Sequence, residues 1–483
     1  MKKTKIVATI GPATESVENL ERLFSAGVNI FRMNLKHNTH DWHAEIIKRI
    51  RTISDKKDIK VGILADLQGP ELRIAGFNTK ENTVNLLKDQ IVTLIEKFDQ
   101  KSFKTTDIEM EFPKIQCVEN LSKGMDISID DGKIVLEVLE IKPKSIKAKV
   151  IDGGELSIKK SISIPEAFIN VETLTEKDLG DIDFAVKANV DLIALSFVRD
   201  AKDIATLRKE IKKRKGTQMI IAKIENLMGV NNIEEIMKET DGVMVARGDL
   251  GIEVPMERVP SIQQKLIIAA RHESKPVIVA TQMLMSMVRE PTPTRAEVSD
   301  IAHAVFDGTD ALMLSEETTA GNFPIKAVEM MAKTAKYNEN HSADTKKFVN
   351  DLFQTKTFEE LLIESSIKFS QEESLSAESS KVKGYMVFTE SGKSARLLSR
   401  YRTHLPVFSF ATSDEVCRQL CLSFGVQSFN LKLKSDPVDN IKNALKLLKE
   451  TKRVDKGDKL IIIFGSNVGE AGGNNTLSIV TVD

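Results

Sequence analysis

Short apolar segments rich in β-branched residues alternate with amphipathic helical patterns along most of the chain, which is typical of βα units around a parallel sheet. The apolar segments lie at residues 4–10, 28–35, 61–67, 192–197, 219–224, 242–246, 277–281 and 311–314. Helical patterns lie at residues 15–26, 41–53, 177–188, 233–239, 262–273 and 295–306. Three strands before a gap and five after it predict a closed (β/α)₈ barrel, the TIM-barrel architecture.

A different pattern occupies the gap, residues 71–164. Apolar positions alternate there over short stretches, helical patterns are few, and turn signals occur at residues 130–132 (DDG) and 152–154 (DGG). Pro70 and Pro165 lie at the two ends of the gap. The pattern predicts a small β-barrel lid domain, inserted after the third barrel strand and hinged at its ends.

The last part of the chain follows a polar stretch at residues 340–355, which we expect to be an exposed connection. Predicted elements are a helix at 358–371, a strand at 384–388, a helix from Ser394, and strands at 407–410 and 460–464. These elements predict a smaller α/β domain. The predicted domains are therefore a barrel (1–70 and 165–338), a lid (71–164) and a C-terminal α/β domain (339–483).

The composition is that of an ordinary globular protein, with 41% hydrophobic and 29% charged residues among 483. A net charge of −1 gives no electrostatic reason to expect nucleic acid or an anionic membrane as a partner. No apolar run approaches the length of a membrane helix, about 20 residues, and the N-terminus carries no apolar signal segment. Cys117, Cys417 and Cys421 lack metal-ligand spacing, so we expect free thiols in a reducing, cytoplasmic compartment.

Polar or charged residues follow seven of the eight predicted strands. In a (β/α)₈ barrel the carboxyl ends of the strands and the loops after them build one rim, where the reactive groups lie. Packing alone does not explain so many polar groups at one rim. The residues at these ends include Arg32, Asn34, Asp66, Ser196, Lys223, Glu225, Asp249 and Thr281.

The residue types at the rim indicate chemistry on a phosphate or an enolate. Glu225 and Asp249 end adjacent strands and suit a hard divalent ion that substrate oxygens also coordinate. Lys223 lies two residues before Glu225, so both side chains point to one side of the strand, where an ammonium can stabilise a transferring phosphoryl group. Arg32 is a candidate phosphate ligand, and the turn at 248–251 offers main-chain N–H groups to an anion. The alternative for Lys223 and Glu225 is a purely structural ion pair.

Five segments together resemble the signature motifs of the pyruvate kinase family, in the family's order and spacing. They are residues 5–12 (KIVATIGP), 223–226 (KIEN), 244–253 (MVARGDLGIE), 280–284 (ATQML) and 293–297 (PTRAE). The resemblance spans the whole chain and includes the lid and the closing domain. It implies a glycolytic, metal-dependent kinase that transfers the phosphoryl group of phosphoenolpyruvate to ADP, giving ATP and pyruvate, and that assembles as a homotetramer through its C-terminal effector and oligomerisation domain.

The resemblance also implies a role for individual residues. Lys223 stabilises the phosphoryl group and the enolate, Thr281 takes part in proton transfer to enolpyruvate, and Glu225 and Asp249 bind Mg²⁺ or Mn²⁺. The residues that the resemblance implies as contacts of phosphoenolpyruvate are Arg32, Ser196, Lys223, Gly248, Asp249 and Thr281. Those that it implies as contacts of the nucleotide are Asn34, His37, Arg73 and Lys160.

The chain departs from the family where animal-type members bind K⁺. Asn34 and Asp66 are retained, but the family's serine is Lys36 and its threonine is Leu67. We therefore expect that K⁺ is not required and that the Lys36 ammonium, paired with Asp66, takes the place of the ion. The alternative is that Lys36 points to solvent. Glu71 is the residue found in K⁺-requiring members and argues against the expectation.

Residues 389–394 (TESGKS) match the family's effector phosphate loop, and they predict a phosphate site made by Thr389, Ser391, Gly392, Lys393 and Ser394. The later loop at 465–474 lacks the arginine and tryptophan that hold a second phosphate in animal-type members. We therefore expect a phosphorylated effector with one phosphate rather than two.

Two other functions fit parts of the pattern. A metal-enolate barrel such as an aldolase acting on pyruvate has a Glu/Asp metal pair, but it needs neither the lid nor Lys160. A catalytically silent paralogue that serves as a regulatory subunit would have lost a residue that contacts the substrate or the metal, and none is lost outside the monovalent site.

Overall fold

The first two βα units form close to where the hydrophobic pattern predicts them. The structure is a computed structural model that describes residues 2–99, 102, 105, 107–165, 167–341, 357–373, 382–465 and 474–483. Its first elements are the strands β1 (Lys5–Thr9), β2 (Ile30–Asn34) and β3 (Gly62–Asp66) and the helices α1 (Val17–Ala26) and α2 (His40–Lys57). Ser16 caps α1 by accepting a hydrogen bond from Asn19 N, and Gly27 ends it with φ 98°.

The inserted segment is a sheet domain. Its strands are β4 (Gly76–Phe77), β5 (Thr83–Leu86), β6 (Ile91–Ile95), β7 (Glu109–Glu111), β8 (Val118–Glu119), β9 (Asp126–Ile129), β10 (Ile134–Lys142), β11 (Ser145–Asp152), β12 (Gly154–Ser157), β13 (Ile162–Ser163) and β14 (Phe168–Ile169). Seven of them form one sheet in the order β13-β9-β10-β11-β6-β7-β4. Along β10 and β11 buried and more exposed residues alternate, because one face of the sheet covers the lid core.

The remaining barrel strands are β15 (Leu192–Leu195), β16 (Met219–Ile224), β17 (Gly242–Ala246), β18 (Val277–Ala280) and β19 (Ala311–Leu314). The helices between them are α3 (Glu176–Lys187), α4 (Ala201–Lys213), α5 (Leu227–Asn231), α6 (Ile233–Glu239), α7 (Arg247–Glu253), α8 (Val259–His272), α9 (Arg295–Asp307), α10 (Glu316–Thr319) and α11 (Pro324–Glu339). The strands close in the order β1-β19-β18-β17-β16-β15-β3-β2, all parallel, which confirms the predicted (β/α)₈ barrel. The pattern missed α4 and α11, and α7 occupies the segment predicted as a turn at 248–251.

Burial on both faces explains why the barrel strands appear in the sequence as continuous apolar runs. The residues of β1, β3, β17 and β19 are all buried. One set of side chains, including Val7, Ile30 and Leu64, fills the interior of the barrel. The alternate set, including Ile6 and Ile63, packs against the surrounding helices. The barrel is therefore a packed core, and chemistry is confined to its rim.

The C-terminal domain is a five-stranded sheet with helices. Its elements are α12 (Phe358–Glu373), β20 (Val382–Thr389), α13 (Lys393–Ser399), β21 (Val407–Ala411), α14 (Asp414–Gln419), β22 (Val426–Asn430), α15 (Pro437–Glu450), β23 (Lys459–Gly465) and β24 (Asn474–Thr481). The sheet order is β22-β21-β20-β23-β24, and only β24 is antiparallel to its neighbour. The prediction of an α/β domain is confirmed, although β22 and β24 were not predicted. Residues 342–355 of the expected polar connection lie outside the described residues.

The C-terminal domain packs against the end of the barrel where the strands begin. Asp310, just before β19, pairs with Arg402, and Lys5 Nζ at the start of β1 donates to Val426 O at 2.6 Å. At the other end of the barrel, Ser163 of β13 in the lid donates a hydrogen bond to Glu253 of α7. The carboxyl ends of the barrel strands therefore face the lid, and the cleft between them contains the predicted site.

Candidate active site

Lys223 lies at the centre of a buried polar cluster near the end of β16. Its Nζ donates to Ser196 Oγ at 2.7 Å and lies 2.9 Å from Glu225 Oε1 and 3.4 Å from Asp66 Oδ1. Burial opposes the charge of this lysine, but Asp66 and Glu225 outweigh burial and raise the pKa of Lys223 above its usual value. The Lys223–Glu225 ion pair considered from the sequence is therefore present, as part of a larger cluster.

Arg32 of β2 brings a second cation to the same carboxylate. Its Nε and Nη2 both lie 2.7 Å from Asp66 Oδ2, and its Nη1 donates to Thr9 Oγ1 at 2.9 Å. Burial works against ionisation of Asp66, but Lys223 and Arg32 overcome it and lower the pKa of Asp66. Two cations from different strands therefore converge on one buried anion, a geometry that also suits a substrate phosphate entering beside it.

Glu225 and Asp249 are the two carboxylates of the site whose charge is poorly compensated. Burial raises the pKa of Glu225 to about 7, with the Asp249 carboxylate adding to the rise while Lys223 opposes it. Burial also raises the pKa of Asp249. A divalent cation between them would relieve both effects, so this donor pair fits the predicted metal. Among the described residues no cluster of three or more His, Cys, Asp or Glu side chains has metal-binding geometry.

The backbone is strained where β15 and β18 end. Phe197 and Thr281 have φ of 55° and 70°, in the left-handed region that residues other than glycine rarely adopt. Ser196, just before Phe197, donates its hydroxyl to Leu67 O at 2.8 Å while it accepts from Lys223. Gly69 passes so close that an added Cβ would lie 2.9 Å from Ser196 Cβ. The close packing of these segments fixes the position of Ser196 under the lysine.

Thr281 and Gly248 lie together, but their polar groups already contact each other. The Thr281 hydroxyl accepts from Gly248 N at 2.8 Å and donates to Ala280 O at 2.6 Å. The segment predicted as an open turn is the start of α7, so the expectation of uncommitted main-chain N–H groups at 248–251 was wrong for Gly248. Asp249, one residue further along α7, lines the cleft.

The structure corrects the partner expected for Lys36. Its Nζ lies 2.5 Å from Glu71 Oε1, whereas Asp66 is bound by Arg32 and Lys223. Arg73 binds the other oxygen of Glu71. Burial works against the charge of Glu71, but Lys36 and Arg73 outweigh it and lower the pKa of this carboxyl. Lys36 is exposed and lines the cleft.

Two of the predicted nucleotide residues line the cleft, a cavity of about 770 Å³ between the lid and the barrel, whereas Asn34 and His37 are not among its lining residues. From the lid side, Arg73 and Lys160 line the cavity, and Lys160 pairs with Asp130 at 2.7 Å. From the barrel, Asn34 Oδ1 accepts from Lys36 N at 3.2 Å. Burial, together with Lys36 and Arg32, lowers the pKa of His37, so this imidazole is neutral at pH 7.

Three acidic residues organise the cleft, of which sequence reasoning missed Asp130 and Glu253 and named Glu71 without its partners. Asp130 holds Lys160, Glu71 holds Lys36 and Arg73, and Glu253 accepts from Ser163 of the lid. Glu253 is the last residue of the MVARGDLGIE motif, which was the only sequence signal for it. Except for Glu71 and Arg73, which are two residues apart, each of these pairs joins residues far apart in the chain, so their spacing gave no indication of the contact.

The predicted effector loop is less open than expected. The Ser394 hydroxyl donates to Glu359 of α12, and Asn474 Nδ2 donates to both residues. The Thr389 hydroxyl accepts from Gly392 N at 3.0 Å. Ser391 and Lys393 are exposed and border a second cavity. Residues 466–473 of the later loop lie outside the described residues, so the expectation about the second phosphate stays a prediction.

Comparison with known proteins identifies the family. Residues 1–328 match the family model of the pyruvate kinase barrel domain, and residues 370–480 match that of the pyruvate kinase alpha/beta domain. The chain belongs to the pyruvate kinase family. Pyruvate kinases of Staphylococcus aureus strains MRSA252 and USA300 are each 40% identical over 481 residues, which cover 99% of this chain and 80% of theirs. The family resemblance predicted from the motifs is confirmed.

A solved pyruvate kinase structure gives the same result for the fold. The crystal structure of a pyruvate kinase from Cryptosporidium parvum matches with a TM-score of 0.91 at 31% identity, covering 100% of this chain and 96% of that one. Membership in the pyruvate kinase family makes the chain a phosphotransferase, with phosphoenolpyruvate, ADP, ATP and pyruvate as the implied substrates and products. Within the described residues, no helix is long and apolar enough to span a bilayer.

Proposed function

We propose that the Lys223 cluster transfers the phosphoryl group of phosphoenolpyruvate to ADP. The observation that carries this proposal is the convergence of Lys223 and Arg32 on Asp66 at the rim of the barrel. The two cations bind the phosphate of phosphoenolpyruvate. Lys223 then stabilises the charge on the phosphoryl group in transfer and on the enolate that remains, because its ammonium is held in place by the carboxylates around it.

The carboxylate of phosphoenolpyruvate binds near the start of α7. Gly248, Asp249 and Thr281 provide main-chain N–H groups and a hydroxyl there, and Gly248 N exchanges its bond to Thr281 for one to the substrate. Ser196 holds Lys223 in position. Thr281 takes part in the proton path to enolpyruvate, and the strained φ of 70° at this residue supports a functional role.

Glu225 and Asp249 hold a divalent cation, Mg²⁺ or Mn²⁺, together with substrate oxygens. A cation held by Glu225 and Asp249 would supply positive charge to the substrate phosphate and would polarise the enol oxygen. The raised pKa values of the two carboxyls support this site, because a nearby cation favours their charged forms.

ADP binds on the lid side of the cleft, where Asn34, His37, Arg73 and Lys160 contact it. Arg73 and Lys160 supply positive charge for its phosphates, and the lid covers the cleft to exclude water, the competing acceptor. The family supports two further proposals, a homotetramer and a cytoplasmic location. The loop at Thr389, Ser391, Gly392, Lys393 and Ser394 is a proposed effector site, in which the hydroxyls of Thr389 and Ser394 already form hydrogen bonds within the protein.

K⁺ is not required, because the chain provides its own charge at that position. Leu67 has no side-chain oxygen and is buried, so a dehydrated K⁺ would lose one ligand of the family's set. The ammonium of Lys36 is held at the edge of the cleft by Glu71. The contact with Glu71, in place of Asp66, shifts the position of this charge but keeps it beside the cleft.

A coupled assay with phosphoenolpyruvate, ADP and Mg²⁺ tests the activity. Lys223→Met should lower kcat by about 10²–10⁴, the scale of one lost electrostatic group, because no other ammonium lies in the cluster. Glu225→Gln should cause a similar loss that excess Mg²⁺ does not restore. Lys147→Met, at an exposed position of β11 in the lid, is the matched control. Near-normal turnover of Lys223→Met would contradict the assignment.

A further inference from the structure

The loop that follows β2 carries Lys36 and His37, and it is held in place from the helix α3. Leu35 N donates to Asp66 O at 3.0 Å, which continues the hydrogen bonding of the barrel sheet for one more residue. Leu35 O accepts from Lys177 Nζ at 2.6 Å. Lys177 lies in the first turn of α3, 142 residues further along the chain, so the contact exists only because the barrel brings the loop and the helix together.

The bond from Lys177 fixes the orientation of one peptide group. Leu35 O and Lys36 N belong to the same peptide, which is planar. Lys36 N donates to Asn34 Oδ1 at 3.2 Å, so one edge of this peptide is bound to Asn34 and the other edge to Lys177. Rotation of the peptide would break both bonds. Lys177 therefore fixes the direction of the Asn34 amide and the main-chain position from which the Lys36 side chain extends.

Lys177 is itself held by a buried carboxylate. Its Nζ lies 2.6 Å from Oδ2 of Asp181, one turn further along α3, and the Asp181 side chain is buried. The other oxygen of Asp181 lies 2.7 Å from Nε2 of His40, the first residue of α2. The His40 ring stacks on Phe184 of α3, with 4.6 Å between the ring centres. Because these contacts fix Asp181, the ammonium that it binds is held in one place.

The next residue of α3 holds the loop that follows β3. Asp178 is buried, and its Oδ1 accepts from Gly69 N at 3.1 Å. Gly69 lies two residues before Glu71, which binds the Lys36 ammonium of the first loop. Two neighbouring residues of one helix therefore hold both loops, close to the Lys36–Glu71 ion pair that joins the loops at the cleft.

Other residues of α3 account for its stability. Ile182 and Ala185 are buried in the core between the barrel and its helices, and the capping box of Thr175 and Asp178 begins the helix. The Lys177 side chain is 46% exposed, so its ion pair contributes little to folding. Orientation of the loop explains the bond from this lysine to a carbonyl beside the cleft better than stability does.

The residues proposed to bind the phosphate of phosphoenolpyruvate, Arg32 and Lys223, lie on barrel strands and are held by different contacts. Their hydrogen bonds and ion pairs go to residues on or just after other strands, which are Thr9, Asp66, Ser196 and Glu225. A change at Lys177 should therefore disturb the nucleotide side of the site and leave the phosphoenolpyruvate side in place.

We propose that Lys177 is a positioning residue for the nucleotide, which fixes the peptide between Leu35 and Lys36 so that the Asn34 amide and the Lys36 ammonium are presented to ADP. This inference rests on the proposed nucleotide site. Lys177 itself does not contact the substrate in this proposal, since it acts through the loop.

Steady-state kinetics of the full chain test the proposal in the coupled assay. Lys177→Met should raise the KM for ADP about tenfold, because two groups that contact the nucleotide lose their fixed direction. The KM for phosphoenolpyruvate should change by less than about twofold and kcat by less than about threefold. Equal increases in both KM values, or a fall in kcat alone, would show a general structural effect and would overturn the proposal.

Two further variants separate orientation from stability. Lys187→Met is the matched control, because Lys187 also pairs with a carboxylate one turn away on α3, Asp183 at 2.5 Å, but at the other end of the helix. This control should keep both KM values. Lys177→Arg retains a cation that can reach Leu35 O, so its KM for ADP should stay within about threefold of the wild-type value. An equal rise in the KM for ADP in Lys187→Met and Lys177→Met would overturn the proposal.

Calorimetric titration with ADP in the presence of Mg²⁺ gives a readout that does not depend on turnover. We expect Lys177→Met to bind ADP about tenfold more weakly than the wild type does, while the thermal midpoint of the free variant stays close to that of the wild type. Unchanged affinity in Lys177→Met would overturn this inference alone. Absence of ADP binding by the wild type would overturn the nucleotide site on which the inference rests, and the inference with it.

Discussion

At the scale of single residues, the position of Lys36 decides how the cleft obtains its positive charge. Glu71 holds its ammonium at 2.5 Å, and Asp66 is already bound by Arg32 and Lys223. Because the Lys36 ammonium is part of the protein, the cleft does not have to bind and dehydrate a cation from solution. Neutralising Lys36 should therefore leave Glu71 paired only with Arg73 and should make the cleft dependent on an added cation.

The K⁺ proposal predicts that KCl leaves turnover in tetramethylammonium buffer essentially unchanged at matched ionic strength. Activation of about tenfold or more, equivalent to about 1.4 kcal/mol of barrier, would contradict it. Lys36→Ser combined with Leu67→Thr restores the oxygen ligands and should create a K⁺ requirement. Lys147→Ser, at an exposed position of the lid, is the control, and its turnover should not change when KCl is added.

The partner of Lys36 illustrates what the sequence leaves undetermined at this scale. Alternation along a strand places side chains only while the strand continues, and β2 ends at Asn34, before Lys36. Lys223, by contrast, lies within β16 and points where alternation predicts, toward Glu225. Residues on strands were thus predictable with their contacts, and residues on the loops were predictable only as members of the rim.

At the scale of elements, one of the contacts between the lid and the barrel lies between β13 and α7. Ser163 of β13 donates its hydroxyl to Glu253, the last residue of α7. The same helix carries Asp249, so the lid contact and the metal site share one short element. The sequence predicted a turn here because two glycines lie within seven residues, and the tertiary contacts of α7 override that preference.

Ser163→Ala should loosen the lid and cost about 1–3 kcal/mol of local stability, since the partly buried Glu253 would lose its donor. Hydrogen exchange of lid peptides should speed up in this variant, while peptides from the interior strands of the barrel stay protected. Glu253→Gln keeps an acceptor for Ser163 and should preserve lid protection. Equal exchange in Ser163→Ala and the wild type would show that the contact does not hold the lid.

The same contact predicts a pH dependence. Burial raises the pKa of Glu253 above its unfolded value of 4.5, with the Ser163 hydrogen bond opposing the rise. A raised carboxyl pKa gives stability that is full below that unfolded value and is lost as pH rises through the folded pKa. Residue 253 cannot ionise in Glu253→Gln. The thermal midpoint of this variant minus that of the wild type should therefore increase as pH rises from about 5 to about 8. A constant difference across this range would contradict the assignment.

At the scale of the whole molecule, the barrel presents its two ends to two domains. The carboxyl end meets the lid and binds substrate, and the amino end meets the C-terminal domain through buried polar contacts such as Lys5 to Val426 and Asp310 to Arg402. The βα alternation predicted the barrel and the C-terminal domain, and the short alternating pattern of residues 71–164 predicted the lid, because both patterns reflect burial of the strands. They did not predict how the domains contact each other, since those contacts join residues such as Asp310 and Arg402, which are far apart in the chain.

Asp310 is the main polar link between the barrel and the C-terminal domain. Besides pairing with Arg402, it accepts from Phe424 N at 2.8 Å and from Val277 N at 3.1 Å, and both charged partners are at most 4% exposed. Removing one partner of such a buried pair costs about 3–5 kcal/mol, because the other charge stays buried without compensation. Asp310→Asn should therefore weaken the contact between the domains far more than it weakens the interior of either domain.

Differential scanning calorimetry of Asp310→Asn checks this last prediction. We expect the variant to unfold with a lower first midpoint, and the C-terminal domain to separate as an earlier transition than the barrel. Adding Arg402→Met should recover part of the loss, because it removes the uncompensated cation while keeping apolar volume against Phe424. Glu450→Gln, which breaks the exposed pair with Lys446 at 3.9 Å, is the control and should change stability by less than about 0.5 kcal/mol. Additive losses in the double variant would show that Asp310 and Arg402 act independently, and the domains would then be held together by apolar packing instead.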